Sequence, residues 1–242
     1  MMDDLAARTK ALIARQPAGP HVETSIVGFL QRLCAAATRA LAVSGAGVTL
    51  MAEDGVRGLV TASDPATERI EDVQFVLGEG PCIDAFEARR PVLVPDLADG
   101  ALSRWPVYTP TIHDSGVRAV FAFPLQVGAG RLGVLDLFRT RPGPLTAEDL
   151  AQALVFADVA VGTLLDGQER AGAGAAADGL VEAMDSRAEL FQAQGMVMVQ
   201  LGVPLIAALA RLRAYAYAEN RPLAEVARDV VARRLRFDRD QP

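Results

Sequence analysis

Apolar residues recur at helical spacing over 22–43, where Ile26, Phe29, Leu30, Leu33, Ala37 and Leu41 fall on one face. Cys34 lies beside that face and is expected to be a small core residue. The period then shortens. Runs at 47–52 and 56–62, separated by Glu53-Asp54-Gly55, predict a β-hairpin, since Asp-Gly between two apolar runs supplies the positive φ of a tight turn. Helices are expected at 65–77 and 81–89, a strand at 91–95, and a helical or irregular stretch at 103–115 broken by Pro106 and Pro110. Two further strands, 117–127 and 132–139, are joined by a tight turn. Thr146-Ala147-Glu148-Asp149 places a helix N-terminus before Leu150, Leu154, Ala157, Val161 and Leu164. A helix, a hairpin, helices, a strand, a helix, a hairpin and a helix in that order predict an α+β domain, an antiparallel sheet flanked by helices.

A second pattern begins after the low-complexity stretch Ala171–Gly179, which is expected to be a hinge between domains, the alternative being a frayed stretch of one long helix, since its alanines favour helix while Gly172, Gly174 and Gly179 oppose it. From Arg187 to Val231 three short helices are predicted. Gly202 and Pro204 stop the first, and Pro222 suits the first turn of the third, where a missing N–H has no consequence. Leu205, Leu209, Leu212 and Ala216 form one apolar stripe, and Leu223, Val226, Ala227, Val230 and Val231 another. Gly195 inside the first helix costs roughly 1 kcal/mol against Ala, and a close helix contact is the expected compensation. Met184, Phe191 and Met198, with Leu180 and Leu201 beside them, offer a further stripe; with the helices at 22–43 and 146–165 it predicts a homodimer.

Charge alters this picture. The chain of 242 residues has net charge −6, but from Arg187 to Arg239 the balance is +4 and over the first 186 residues it is −9. A basic C-terminal segment behind an acidic body is an electrostatic footprint for phosphates, or simply a solvated face. The acidic start Met1-Met2-Asp3-Asp4 lacks the pattern of a secretory signal, and no uninterrupted apolar run reaches the length of a membrane span, so a cytoplasmic protein is expected. Two cysteines are no disulfide framework, and no Cys, His or carboxylate cluster has the tight spacing of a metal site. Gly128-Ala-Gly130-Arg-Leu-Gly133 matches G-x-G-x-x-G, but a strand follows it where a dinucleotide fold needs a helix, so a hairpin turn is expected. Cys82, at the start of a short helix, is either a thiol activated by the helix or a buried structural residue. Neither a catalytic constellation nor a cofactor motif is present, and no catalysis is expected.

Specific residues carry two resemblances. Gln192-Ala-Gln-Gly-Met196, Ala208-x-x-x-Leu212-Arg213-x-x-Ala216 and Asn220-Arg-Pro-Leu223-x-x-Val226-Ala227-x-x-Val230-Val231 resemble an ANTAR domain, a family of RNA-binding antitermination modules. Gln194 stands where that family usually has lysine. Leu77-Gly-Glu-Gly-Pro-Cys-Ile-Asp-Ala-Phe86, Val92–Asp96, Arg104-Trp105-Pro106 and Phe121–Leu125 with Gly133–Phe138 resemble a GAF domain, in particular those preceding ANTAR modules in actinobacterial regulators. The pairing implies an N-terminal extension at 1–21, a GAF-like sensor at 22–170, a linker at 171–179 and a three-helix ANTAR bundle at 180–238. It implies a transcription antiterminator that binds stem-loops in nascent RNA, with a GAF half that senses an unknown small molecule or dimerises. A DNA-binding regulator whose last helix enters the groove, and a ligand-sensing scaffold without nucleic acid, are the alternatives. The bilin-attachment and cyclic-nucleotide patterns of GAF relatives are missing. Candidate RNA contacts are Arg187, Gln194, Arg211, Arg213, Tyr215, Asn220, Arg221 and Arg228, because Arg grips phosphate bidentately and Tyr stacks on unpaired bases. Candidate walls of a GAF pocket are Phe75, Cys82, His113, Phe121 and Phe123. Each of these residues can equally be an exposed side chain or plain core.

Overall fold

A computed structural model describes residues 2–17, 25–52, 55–172, 188–219 and 221–238. The chain divides into two compact units. The first contains helices α1 (Met2–Ala14) and α2 (Ile26–Ala40), strands β1 (Gly45–Ala52) and β2 (Gly55–Ala62), then helices α3 (Pro65–Leu77) and α4 (Pro81–Ala88). Strand β3 (Val92–Val94), short helices α5 (Ala101–Arg104) and α6 (Tyr108–Asp114), strands β4 (Ala119–Val127) and β5 (Gly130–Arg139) and the long helix α7 (Ala147–Gly172) complete it.

The five strands form one sheet in the order β2-β1-β5-β4-β3, and it is antiparallel. In the register, Asp136 of β5 stands opposite Gly47 of β1 and Ala122 of β4, at the middle of the sheet. Side chains alternate between faces. Ala46, Val48, Phe121, Phe123, Leu125, Leu135 and Leu137 enter one core with α1, α2 and α7, where Ile13, Leu30, Leu33 and Phe156 are fully buried. Met51, Val120, Ala122, Val134 and Phe138 enter a second core with Cys82, Phe86, Leu97, Trp105, Tyr108 and Ile112 from α4 to α6. Truncating a buried ring such as Phe123 or Phe156 to Ala costs about 3–5 kcal/mol at sites of this kind.

Local chemistry fixes the element ends. Ser25 caps α2 by accepting from the N–H of Gly28 at 3.0 Å. Asp64 caps α3 by accepting from Ala66 and Thr67 at 2.9 and 3.0 Å. Thr146 and Asp149 form the reciprocal pair expected at the start of α7, with Asp149 N–H donating to Thr146 Oγ1 at 3.0 Å. The β4–β5 connection is the two-residue Gly128-Ala129 turn, with Gly128 at φ 55°, so the G-x-G-x-x-G letters are a hairpin. The stretch 103–115 resolves into parts of two helices: the chain breaks at Trp105-Pro106-Val107, and Pro110 sits in the first turn of α6, where its missing N–H is tolerated. Helix α7 runs to Gly172, past the expected end near 165, and takes in the first two residues of the expected hinge; 173–179 lie outside the described residues. Over Ala147–Gly167 this helix is long and apolar enough to cross a membrane by composition, yet Ala153, Phe156 and Ala160 are fully buried in the first core.

The second unit holds α8 (Ala188–Leu201), α9 (Leu205–Ala218) and α10 (Leu223–Val231). Gly202 at φ 66° ends α8, with Gly202 and Val203 N–H groups both donating to Met198 O, and the chain turns by 104° into α9. Leu190, Ala193 and Val197 of α8, Ala208, Leu209, Leu212 and Ala216 of α9, and Leu223, Val226, Ala227 and Val230 of α10 are buried among the three helices. Leu205 departs from its expected stripe and is exposed, whereas Ala208 takes its place. Among the described residues nothing lies within 4 Å of a Cβ built on Gly195, so none of them makes the close helix contact expected there. The chain beyond α10 folds back: Phe237 N–H donates to Gln200 of α8 at 2.9 Å, and the Phe237 ring meets Tyr215 of α9 edge-on at 5.5 Å.

Candidate functional sites in the two units

In the second unit the cations differ in how far they are committed to other groups. Arg221 donates to Asp229 Oδ2 at 2.7 Å and lies 4.0 Å from Glu225. Arg234 grips the other oxygen of Asp229 at 2.7 Å. Between the two guanidiniums the Asp229 carboxyl is held below its usual range, and the hydrogen bond from Arg221 contributes most. Arg221 therefore splints the start of α10 to its end, a structural role that the expectation of a free contact missed. Arg228 makes a solvent-exposed pair with Glu189 at 3.6 Å. Arg211, Arg233 and Arg236 are exposed and make no ion pair among the described residues.

Three expected contacts change character. Gln194 is buried and donates from Nε2 to the carbonyl of Leu205 at 2.9 Å, fastening α8 to the first turn of α9. The amide replaces the family's lysine with an uncharged core donor, and it cannot reach RNA from there. Arg213 follows Leu212 on α9, and helix geometry turns it about 100° from the Leu209–Leu212 stripe. It is nonetheless half-buried, and desolvation lowers its guanidinium to about 10, which leaves it charged at neutral pH. Tyr215 is covered by Phe237, while Tyr217 is 66% exposed. Ile206, Ala210, Arg213 and Tyr217 recur at i, i+4, i+7 and i+11, so they form one line along α9. Tyr215 and Tyr217, two apart on a helix, cannot share a face, and it is Phe237 that decides which of them is covered. Arg187 and Asn220 lie outside the described residues.

In the first unit the expected pocket wall divides between the two sides of the sheet. Phe121 and Phe123 point into the core with α1, α2 and α7, away from Cys82, so they line no pocket with it. The reason is pairing parity: Val120 and Ala122 are the β4 residues on the Cys82 side. Phe75 is buried on α3. His113 is half-buried at the end of α6, and its backbone carbonyl accepts from Arg118 at 2.8 Å. Only Cys82 of the five stands in a buried polar cluster.

That cluster combines α3, α4, α6 and the sheet. Glu71 and Gln74 project from α3, Cys82 from the first turn of α4, Tyr108 from the first turn of α6, and Asp136 from β5; all are buried. Gln74 Oε1 accepts from the N–H of Cys82 at 2.9 Å and so caps α4. Glu79 Oε1 accepts from the N–H groups of Val107 and Tyr108, each at 2.7 Å, and caps α6. Glycine makes room: a Cβ on Gly47 would fall on the Glu71 carboxyl, and Gly80, at φ 140°, leaves space for the Gln74 amide. Burial pushes the Asp136 carboxyl up to about 7 and that of Glu71 well above its ordinary range, the latter also through the charge of Asp136. Burial likewise pushes the Cys82 thiol up, so the α4 N-terminus does not produce a free thiolate. Spacing gave no warning of the cluster, because its members come from four segments distant in sequence.

A model of the GAF domain family matches residues 23–164, and a model of the ANTAR domain matches residues 178–231. Among solved structures the chain is similar to the GAF domain from Acinetobacter phosphoenolpyruvate-protein phosphotransferase, at 14% identity and TM-score 0.53, covering 71% of this chain and 98% of that one. It is also similar to the GAF domain of a phosphoenolpyruvate-protein phosphotransferase from Coxiella burnetii, at 13% identity and TM-score 0.52, covering 71% and 96%. At such identities the likeness is one of fold. No curated protein matches the chain. GAF and ANTAR domains are regulatory modules, the first ligand-sensing and the second RNA-binding. With the sensor fold over more than half of its length and an ANTAR domain behind it, the chain belongs to the GAF family and is a GAF–ANTAR regulator.

Proposed function

We propose that this protein is a bacterial transcription antiterminator of the cytoplasm: a homodimer whose C-terminal bundle binds stem-loops in nascent RNA and keeps a terminator hairpin from forming. The observation that carries this reading is the ANTAR match over 178–231; the stretch Arg187–Arg239, which overlaps it, has a charge balance of +4 in a chain of net charge −6. The domain division proposed is 1–21, 22–170, 171–179 and 180–238, with the GAF half sensing a small molecule. Its work is binding, without catalysis.

The RNA surface we infer is centred on the line Ile206, Ala210, Arg213 and Tyr217 of α9, in which Arg213 is half-buried and the other three are exposed. Arg213 and Tyr217 lie one turn apart there, with Arg211 on the same helix and Arg233 and Arg236 beyond α10. Guanidiniums would meet phosphates, and Tyr217 would stack on a loop base. Arg187, Arg228 and Asn220 remain candidate contacts, whereas Gln194, Tyr215 and Arg221 support the surface from behind. A DNA-binding reading is less favoured, because α10 exposes Glu225 beside Arg228 and offers a groove no net positive charge. The test is a mobility-shift titration of the full chain against stem-loop RNA and duplex DNA at several salt concentrations. RNA binding should weaken steeply with salt, with a slope of roughly 0.7–0.9 for each phosphate contacted. Equal affinity for duplex DNA, or binding to neither, would overturn the proposal.

A further inference from the structure

We propose that the GAF half holds a divalent transition-metal ion, with Glu71, Cys82 and Asp136 as its protein ligands. One oxygen of each carboxylate and the Cys82 sulfur all lie within 4.8 Å of one another, and all three residues are buried. They reach this spot from α3, α4 and β5, so the fold assembles them. Among the described residues no cation acts on either carboxyl. The groups acting on Glu71 are Asp136, Asp72 and Thr49, and those acting on Asp136 are Cys82, Glu71 and Gln74. Buried carboxylates are ordinarily paired or coordinate a metal.

A second observation points to an occupant. The Tyr108 hydroxyl is fully buried and has no hydrogen-bond partner, and the groups whose charge acts on it are Asp136, Glu71 and Cys82. Both oxygens of Asp136 and Oε1 of Glu71 also lack a partner at good hydrogen-bond geometry, although Cys82, Glu71 and Gln74 stand near enough to Asp136 to favour its charged form. Four buried polar atoms in this cluster thus lack a well-placed partner, where each orphan ordinarily costs about 1–3 kcal/mol. The room for this arrangement is made by Gly47, across which the Glu71 carboxyl lies.

The donor set selects the ion. Two carboxylates and one sulfur, with the Met51 thioether 3.9 Å from the Cys82 sulfur, suit a borderline ion such as Zn²⁺ or Fe²⁺. Mg²⁺ and Ca²⁺ favour a shell made of oxygens alone. Three protein ligands leave at least one coordination position open, and the unpartnered Tyr108 hydroxyl, buried in the same cluster, is the group we assign to whatever occupies it. Binding releases the Cys82 proton, and any proton on the carboxyls, to solvent.

This inference rests on the sensor reading for the place of the site, and it is assayed without RNA, so its failure leaves the RNA-binding proposal standing. Full-length protein is stripped with a chelator and titrated with Co²⁺ and Zn²⁺, following the thiolate-to-cobalt charge-transfer band, bound metal per chain and thermal stability. One ion per chain is expected. Asp136→Asn should weaken binding by at least ~100-fold, Cys82→Ser should abolish the charge-transfer band, and Cys34→Ser, in the other core, should change neither. Asp136→Asn is nearly isosteric and removes a buried charge, so folding is expected, and circular dichroism verifies it. A folded wild-type protein that takes up no metal, or metal binding that survives both Asp136→Asn and Cys82→Ser, overturns the inference.

Discussion

Replacing Asp136 by Asn should make the metal-free GAF half more stable, and only above mildly acidic pH. Burial raises this carboxyl from an ordinary 3.8 to about 7, so the folded state binds its proton more tightly than the unfolded chain does. Stability is then fully present below the unfolded value of 3.8, falls as pH rises through the window to about 7, and levels off above it. Three pKa units at about 1.4 kcal/mol each amount to roughly 4 kcal/mol of burial cost at pH ~8. Asn escapes that cost but loses part of the attraction between the carboxylate and its donors, so the expected gain is about 2–4 kcal/mol. The assay is urea unfolding with a chelator present at pH ~5 and pH ~8, followed by tryptophan emission. Trp105 is the sole tryptophan and is buried in the core that contains Cys82, so its signal reports this half alone. Wild type should lose stability between the two pH values and the Asn variant should lose less, the remainder coming from the buried Glu71 carboxyl, which burial also holds above its ordinary range. Parallel pH profiles, or a variant no more stable than wild type at pH ~8, would refute the argument.

Tyr217→Ala should weaken stem-loop binding by about 1–3 kcal/mol without moving the thermal midpoint, while Tyr215→Ala should lower the midpoint because it removes the ring under Phe237; calorimetry and gel shift separate the two. Arg221→Ala should destabilise the C-terminal half by releasing Asp229, seen as a lower midpoint of its helical signal, so any loss of RNA binding must be compared with folded fraction. Gln194→Ala leaves the Leu205 carbonyl without its donor and should cost about 1–3 kcal/mol in chemical unfolding. Light scattering of the full chain should give a dimer at tens of micromolar, and a monomer there would remove the homodimer from the proposal.

The apolar spacing was enough to place the helices and strands of both halves, because amphipathic periods and caps act locally. Asp64, Thr146 and Gly202 end or begin their helices as such residues should. Sidedness was harder. Strand β4 is buried on both faces, so 119–125 is apolar nearly throughout and its alternation is invisible; Phe121 and Phe123 could be assigned to a wall but not to a side. One signal was available at the site itself. Asp136 interrupts the apolar run Val134–Phe138, and a carboxylate inside a central strand is rarely idle. Glu71 gave no such sign on its helix. In the bundle, the roles of Gln194, Tyr215 and Arg221 depend on Leu205, Phe237 and Asp229, partners that only the folded chain brings near.

The missing side chain at Gly47 has a consequence for how such sequences can diverge. The Glu71 carboxyl lies where a Cβ at 47 would be, so a residue larger than glycine there and a glutamate at 71 exclude each other in this geometry. The two positions should therefore change together among descendants of this chain: a lineage that acquires alanine at 47 should also have shortened or redirected the side chain at 71. Since Gly47 is also the cross-strand neighbour of Asp136, the inheritance of a single hydrogen atom on β1 records whether a lineage has kept its pair of buried acids.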